Sequence, residues 1–246
     1  LQDFSLSDDG RAIYLLTNVD PKLLIVDLAT KKLIKAITVS PGGSNLTMVS
    51  RNSSEPTQLY MISKSNSKLT TVNSFDYRIS SEVDLNKLSA QGLTLDTNER
   101  FIPHSLAVNA NYVFVGVEAI NHKSSKVEGR ILVLDGISNN LVSSILLDYI
   151  PYKLSLASDP TTLYALGSKD KASYISKLNI ESMQVIKTAD LSPDIQSPKE
   201  FTMSQSGYFL LIPSAGTNVI GVLDISSWEL VYKIDIGAKS NILMSL

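Results

Sequence analysis

One pattern occurs five times along the chain: an apolar strand that ends in Asp or Asn, a polar turn, and a second strand of alternating polarity. The clearest copies are LLIVDLATKKLIKAITV at 23–39, ILVLDGISNNLVSSILL at 131–147 and IGVLDISSWELVYKIDI at 220–236. In each copy, an Asp or Asn ends the apolar strand. These marker residues are spaced 46, 62, 44 and 45 residues apart, and they are Asp27, Asn73, Asp135, Asn179 and Asp224. Repeats of about 45 residues are typical of propeller blades.

Two more strands precede each of these marker residues, as in AIYLLT at 12–17, QLYMIS at 58–63 and TLYALG at 162–167. Each unit therefore contains four short strands, here lettered A to D in chain order. No segment of ten or more residues combines helical periodicity with caps. We expect an all-β fold, a β-propeller of four-stranded antiparallel blades in a single domain over 1–246. The predicted repeats are about 1–43, 44–100, 101–149, 150–195 and 196–236.

The last residues, SNILMSL at 240–246, have the pattern of an additional A strand. Because closure of the ring removes exposed sheet edges, this strand needs a place in the architecture. Two arrangements are open. In one, the chain is a segment of a larger propeller of six or seven blades. In the other, a five-bladed ring exchanges a strand.

The string LSDDGRAIYLLTN at 6–18, followed by LIVD at 24–27, resembles the YVTN-type β-propeller repeat. The middle repeats depart from that pattern, since Asn replaces Asp at 73 and 179 and no Asp-Gly turn precedes Tyr60 or Phe114. The resemblance implies a propeller of a family that includes surface-layer and exported proteins, and more distantly lactonases and subunits beside quinone or haem enzymes. It therefore implies an extracytoplasmic location (secreted, periplasmic or cell surface), and it leaves the activity open.

The Asp or Asn markers are expected to be turn-formers. A short side-chain oxygen there accepts a hydrogen bond from a backbone N–H two residues on, which fixes the reversal between strands. They occur once per repeat, whereas a catalytic carboxylate pair needs two in one site.

The amino-acid composition excludes several kinds of functional site. The chain has no Cys and two His, which excludes thiolate sites and a multi-histidine metal site. Its formal net charge of −2 provides no basic stripe for nucleic acid, and no apolar run approaches the ~18 residues of a membrane span. We expect no metal, no cofactor, no nucleic-acid partner and no transmembrane segment, and an enzyme is disfavoured. Sequence leaves the oligomeric state open.

Two stretches exceed the repeat length, at 86–101 (NKLSAQGLTLDTNERF) and 119–130 (AINHKSSKVEGR). They are read as a D–A loop and a B–C loop, which the strand order places on one face beside the third blade. Insertions on a rigid scaffold are common binding sites, although they can also be loops without a role. The candidate residues in the second insertion are His122, Lys123, Lys126 and Arg130.

A second candidate site is the start of the A strands, predicted to border the mouth of the central channel. Aligned repeats place polar groups there, as a polar-ligand site needs. The alternative is a channel entrance with solvated side chains. The candidates are Asn45, His104, Tyr152, Lys153, Lys199, Glu200 and Asn241.

Aromatic residues occupy defined repeat positions. Tyr14, Tyr60 and Tyr164 share one B-strand position and are predicted to pack between neighbouring blades. Trp228 lies in the last C–D turn, where partial exposure is expected.

These features favour a non-enzymatic recognition scaffold that binds a protein or a glycan on the face of the two insertions. Two alternatives stay open. One is binding or hydrolysis of a small molecule, a lactone or a sugar, at the channel mouth. The other is a structural repeat segment of a surface layer.

Overall fold

The computed structural model describes residues 1–18, 20–49, 57–88 and 98–237. Over these ranges the chain forms five four-stranded antiparallel sheets, each built from four consecutive strands in chain order. A 3-10 helix at Leu85–Lys87 follows the second sheet. The all-β fold, with four strands in each repeat, is therefore confirmed. The predicted extra strand at 240–246 and Asn241 lie outside the described residues.

The strand bounds are as follows. Sheet 1 contains β1 (Asp3–Leu6), β2 (Ala12–Leu16), β3 (Lys22–Asp27) and β4 (Leu33–Thr38). Sheet 2 contains β5 (Gly43–Val49), β6 (Gln58–Ser63), β7 (Lys68–Asn73) and β8 (Arg78–Asp84). Sheet 3 contains β9 (Glu99–Val108), β10 (Tyr112–Asn121), β11 (Val127–Asp135) and β12 (Leu141–Leu147). Sheet 4 contains β13 (Ile150–Leu156), β14 (Thr162–Lys169), β15 (Ala172–Asn179) and β16 (Gln184–Asp190). Sheet 5 contains β17 (Thr202–Met203), β18 (Phe209–Pro213), β19 (Val219–Asp224) and β20 (Glu229–Asp235).

The chain divides into two compact units. Unit 1 comprises Leu1–Val127 and Ile131–Ser144, and unit 2 comprises Glu128–Arg130 and Ile145–Leu246. Within each unit the hydrophobic core lies between successive sheets. Apolar residues of sheets 1 and 2 form one cluster, those of sheets 2 and 3 a second, and those of sheets 4 and 5 a third. The fourth strands β4, β16 and β20 are mostly exposed, so the apolar second and third strands supply most of each core.

The five marker residues form the same turn. Asp27 Oδ1, for example, accepts hydrogen bonds from the backbone N–H (2.6 Å) and the hydroxyl (2.8 Å) of Thr30. Asn73, Asp135, Asn179 and Asp224 each accept a backbone N–H two or three residues on. The predicted turn-forming role is confirmed.

The fourth residue after each marker adopts a positive φ, between 53° and 64°, and none of the five is glycine: Lys31, Tyr77, Asn139, Met183 and Trp228. A left-handed residue at this position completes a turn whose twist matches that of the flanking strands. Because β-carbon crowding makes this conformation costly for non-glycine residues, the surrounding hydrogen bonds must hold it.

The expected B–C loop at 119–130 is instead mostly strand, and this prediction was wrong. β10 continues to Asn121 and β11 begins at Val127, so only a short turn separates them. The reason is pairing along the neighbouring strand, since Glu99 is the register partner of Asn121 and Arg100 that of Ile120. Of the other insertion, 86–101, residues 89–97 lie outside the described residues.

Of the two predictions about aromatic residues, the one on the tyrosines is confirmed and the one on the tryptophan is wrong. Tyr14, Tyr60 and Tyr164 are at most 2% exposed and belong to the cores between sheets, as predicted. Trp228 is only 6% exposed, so the expectation of partial exposure was wrong. Its ring stacks on Tyr164 with the centroids 5.9 Å apart, which buries it between sheets 4 and 5.

Candidate functional site

The starts of the first strands in unit 1 are connected laterally by side chains. The carboxylate of Asp3 accepts a hydrogen bond from the backbone N–H of Leu46 at 2.7 Å, which links β1 to β5. Asn45 Nδ2 donates to the carbonyl oxygen of His104 at 3.1 Å, which links β5 to β9. Asn45 and His104, two of the candidates that the sequence aligned, are thus neighbours, as a channel-mouth site in this unit requires.

His104 contributes an imidazole to this group, and the imidazole is paired with another side chain of the protein. Its Nε2 lies 3.1 Å from Glu118 Oε2, and the imidazole is only 15% exposed. Burial lowers the pKa of His104, and this outweighs the opposing effect of the hydrogen bond to Glu118, while the charge of Lys64 adds to the lowering. A neutral imidazole that donates from Nε2 leaves Nδ1 as a hydrogen-bond acceptor.

In unit 2, Lys153 on β13 and Glu200, which precedes β17, form an ion pair with Nζ and Oε2 2.8 Å apart. Tyr152 is half-buried, and Lys199 is exposed. This pair again links the starts of two successive first strands. The structure therefore groups the channel-mouth candidates into two sets, one within each unit.

The turn between β10 and β11 is held by its own hydrogen bonds. Asn121 Oδ1 accepts from the backbone N–H groups of Lys123 and Ser124, each at 3.0 Å, and the Asn121 N–H donates to the Lys126 carbonyl at 2.9 Å. The N–H of His122 donates to the carbonyl oxygen of Asn98 at 3.1 Å. The described ends of the two predicted insertions therefore meet at this turn.

The side chains of this turn differ in accessibility. His122, Lys123 and Lys126 are exposed, and so is Arg100 on the neighbouring strand, a residue that sequence reasoning did not single out. Arg130 is different, because its guanidinium lies 3.0 Å from Glu128 Oε2 and both side chains are about one-fifth exposed or less (21% and 17%). Its proposed role as an accessible binding residue is not supported by this geometry.

Two cavities between sheets of unit 1 were missed by sequence reasoning. The larger, of about 430 Å³, lies between sheets 1 and 2 and is lined by Asp8, Asp9 and Tyr14 among others. The smaller, of about 250 Å³, lies between sheets 2 and 3 and is lined by neutral polar groups such as Gln58, Thr71 and Asn139. The sequence signal that could have indicated them is the repeated Tyr, which faces the turn of the next repeat.

Across the described ranges, no group of three or more His, Asp or Glu side chains is placed to hold a metal ion. Over the same residues, no helix has the length and apolar character needed to cross a membrane.

No protein-family model matches the chain, and no curated protein matches it either. Among solved structures, it is similar to hydrazine synthase from Kuenenia stuttgartiensis, with a TM-score of 0.69 and 14% sequence identity. The fold is that of a β-propeller. The alignment covers 91% of this chain and 62% of that chain, so this chain spans less than two thirds of its length. At this identity the likeness concerns the propeller fold and carries no activity with it.

Proposed function

We propose that this propeller is a non-enzymatic recognition scaffold that binds a protein or a glycan through the turn between β10 and β11. The observation that carries the proposal is that this turn is both exposed and tied by hydrogen bonds to its neighbour strand. An extracytoplasmic location and membership of the YVTN-type family are parts of the same proposal, and both rest on the repeat pattern alone.

The charge of the turn favours an anionic partner. Residues 119–127 (AINHKSSKV) contain no acidic side chain, and they carry Lys123, Lys126 and His122 in exposed positions. Arg100 adds a third fixed positive charge from the adjacent strand. In a chain whose formal net charge is −2, a local basic cluster attracts acidic groups and discriminates against other surfaces.

The turn is also preorganised. The register pairs β9 with β10 as far as Glu99 and Asn121, and the side chain of Asn121 fixes the two residues that follow. A binding surface that is already ordered pays less conformational entropy on association.

The test reverses the charge of the turn and keeps the strands. Deletion of 119–130 would remove parts of β10 and β11, so the suitable variant is K123E with K126E. The matched control is K31E with K32E, which reverses two exposed lysines in the turn between β3 and β4. All three proteins are first checked for equal thermal unfolding, then screened on one array of sulfated glycans, neutral glycans and acidic peptides.

We expect the wild type and the control to bind the same anionic spots, and the turn variant to lose them. Equal binding by the turn variant, or binding by no protein on the array, would contradict the proposal.

The small-molecule alternative rests on one specific observation, the partly buried His104 beside Glu118. Its test is His104→Ala with the fold intact, screened against lactones and sugars by thermal shift. If a lactone or sugar raises the Tm of the wild type and not that of the variant, the result supports small-molecule binding over the scaffold function.

A further inference from the structure

The cavity of about 430 Å³ lies where the turn between β1 and β2 meets the turn between β7 and β8, entirely within unit 1. Its volume falls in the range of small-molecule sites. Of the residues that the structure describes, three carboxylates and one guanidinium line it, and their net charge is negative. The charged lining residues are Asp8, Asp9, Asp27 and Arg11.

Each of these carboxylates uses one oxygen to stabilise the protein. Asp8 Oδ2 accepts from the hydroxyl of Thr57 at 2.7 Å, and Asp9 Oδ1 accepts from Ser7 Oγ at 2.7 Å. Asp27 Oδ1 accepts from Thr30, as described above. Among the described residues, the second oxygen of each carboxylate accepts no hydrogen bond, and that of Asp9 has only Arg11 Nε at 3.8 Å.

Asp9 and Asp27 are ionised at neutral pH, because hydrogen bonds to each carboxylate lower its pKa. The hydroxyl of Ser7 and then the Arg11 N–H lower the pKa of Asp9, and the Thr30 N–H and hydroxyl lower that of Asp27. The cavity therefore presents full negative charges.

Tyr14 supplies a second, independent observation. It lines the cavity and is only 2% exposed, yet its hydroxyl makes no hydrogen bond to any residue that the structure describes. Burial, followed by the proximity of Tyr77, Asp9 and Asp8, raises the pKa of Tyr14 to about 12, so the hydroxyl stays protonated. The side chain as a whole is nearly buried, but its hydroxyl is not among the buried unpaired polar atoms, so it is left to water or to a ligand in the cavity.

The shape of the site selects the kind of cation. The described acidic groups do not converge as a metal ion requires, but are spread over a cavity of several hundred Å³. Ile34 and Met48 add apolar surface to the lining. Separated carboxylates joined by apolar surface fit an extended organic cation better than a compact ion.

We infer that this cavity binds a small aliphatic polyamine, with ammonium groups paired to Asp8, Asp9 and Asp27 and one N–H donated to the Tyr14 hydroxyl oxygen. The inference is independent of the scaffold function proposed above, because it concerns other residues of unit 1.

The experiment is calorimetric titration of the full chain with putrescine and with spermidine. Asp8→Asn removes one charge while its amide oxygen can still accept from Thr57, and about a tenfold weaker association is expected. Tyr14→Phe should also weaken binding, but leave the thermal stability of the ligand-free protein unchanged because no protein contact is lost. Asp170→Asn, which removes an exposed carboxylate in unit 2, is the matched control and should bind like the wild type.

The inference fails if the wild type shows no saturable binding, or if Asp8→Asn binds as tightly as the wild type. It also fails if Asp170→Asn is weakened equally, which would indicate general charge attraction, or if calcium ions bind saturably and polyamines do not. The Lys123 and Lys126 charge reversal is expected to leave polyamine binding unchanged, so the two proposals can fail separately.

Discussion

The buried hydroxyl of Tyr149 connects three strands of sheet 4, and its removal is a sensitive test of the packing. Tyr149 Oη lies 2.8 Å from the carbonyl oxygen of Ala165 and 2.8 Å from Ser176 Oγ, which in turn lies 2.8 Å from Thr188 Oγ1. Because the tyrosine has a single proton and a carbonyl can only accept, Tyr149 donates to Ala165 and Ser176 donates to Tyr149. Tyr149 is 2% exposed, and burial raises its pKa strongly.

Tyr149→Phe keeps the ring, including its stacking on Tyr174 at 5.5 Å, and deletes only the hydroxyl. It leaves the Ser176 hydroxyl without its acceptor in a buried site, so we expect a loss of about 1–3 kcal/mol in the free energy of unfolding. For a chain of this length, that corresponds to about 2–4 °C in Tm for each kcal/mol.

The assay is urea unfolding followed by circular dichroism, with Tyr174→Phe as the control. The Tyr174 hydroxyl makes no hydrogen bond among the residues that the structure describes, so its removal should change stability by less than about 0.5 kcal/mol. The double variant Tyr149→Phe/Ser176→Ala should show a coupling of at least about 0.5 kcal/mol. Equal, small effects of the two tyrosine variants would refute the reasoning.

Three further predictions concern the backbone, a turn and a titrating group. A β-carbon at Gly167 would clash with the carbonyl oxygen of Ile150, so Gly167→Ala should lower the free energy of unfolding by about 3 kcal/mol or more in urea unfolding. Gly10→Ala has open space around the new β-carbon but a φ of 67°, and it should lower the same free energy by only about 1 kcal/mol. Asp27→Ala should lower Tm more than Asp27→Asn, because an amide oxygen can still accept from Thr30, as Asn73 does in its own turn; equal losses would contradict the turn role. The folded pKa of His104 is lowered, so its contribution to stability is present above the unfolded value of about 6.5 and is lost as pH falls through the folded pKa. His104→Gln should therefore lose less stability than the wild type between pH 7 and pH 5, and parallel curves would contradict this assignment.

The features that sequence predicted correctly are those determined by local chemistry. The turn after Asp27 needs only a short acceptor and the two or three residues that follow it, so the repeat was readable from composition and spacing. The burial of Tyr14, Tyr60 and Tyr164 followed from one shared position in that repeat.

The features that the sequence did not predict are determined by contacts between residues that are distant along the chain. The polar string NHKSSK suggested a loop, but strand pairing extends to Asn121 because Glu99 and Arg100 continue the partner strand. Trp228 was expected to be partly exposed since it lies in a turn, yet the facing Tyr164 of the preceding sheet buries it. The acidic cavity forms because a turn of sheet 1 and a turn of sheet 2 face each other, and the local sequence of either turn does not indicate the other.

The proposed function requires that recognition depend on the basic turn between β10 and β11. The most direct measurement is the affinity of the wild type and of the K123E/K126E variant for one sulfated glycan or acidic peptide from the array, at low and at physiological salt. We predict that the wild type binds more tightly at low salt, because screening weakens exposed charges, and that the variant binds at neither concentration. Equal affinity of the two proteins would contradict the proposed function.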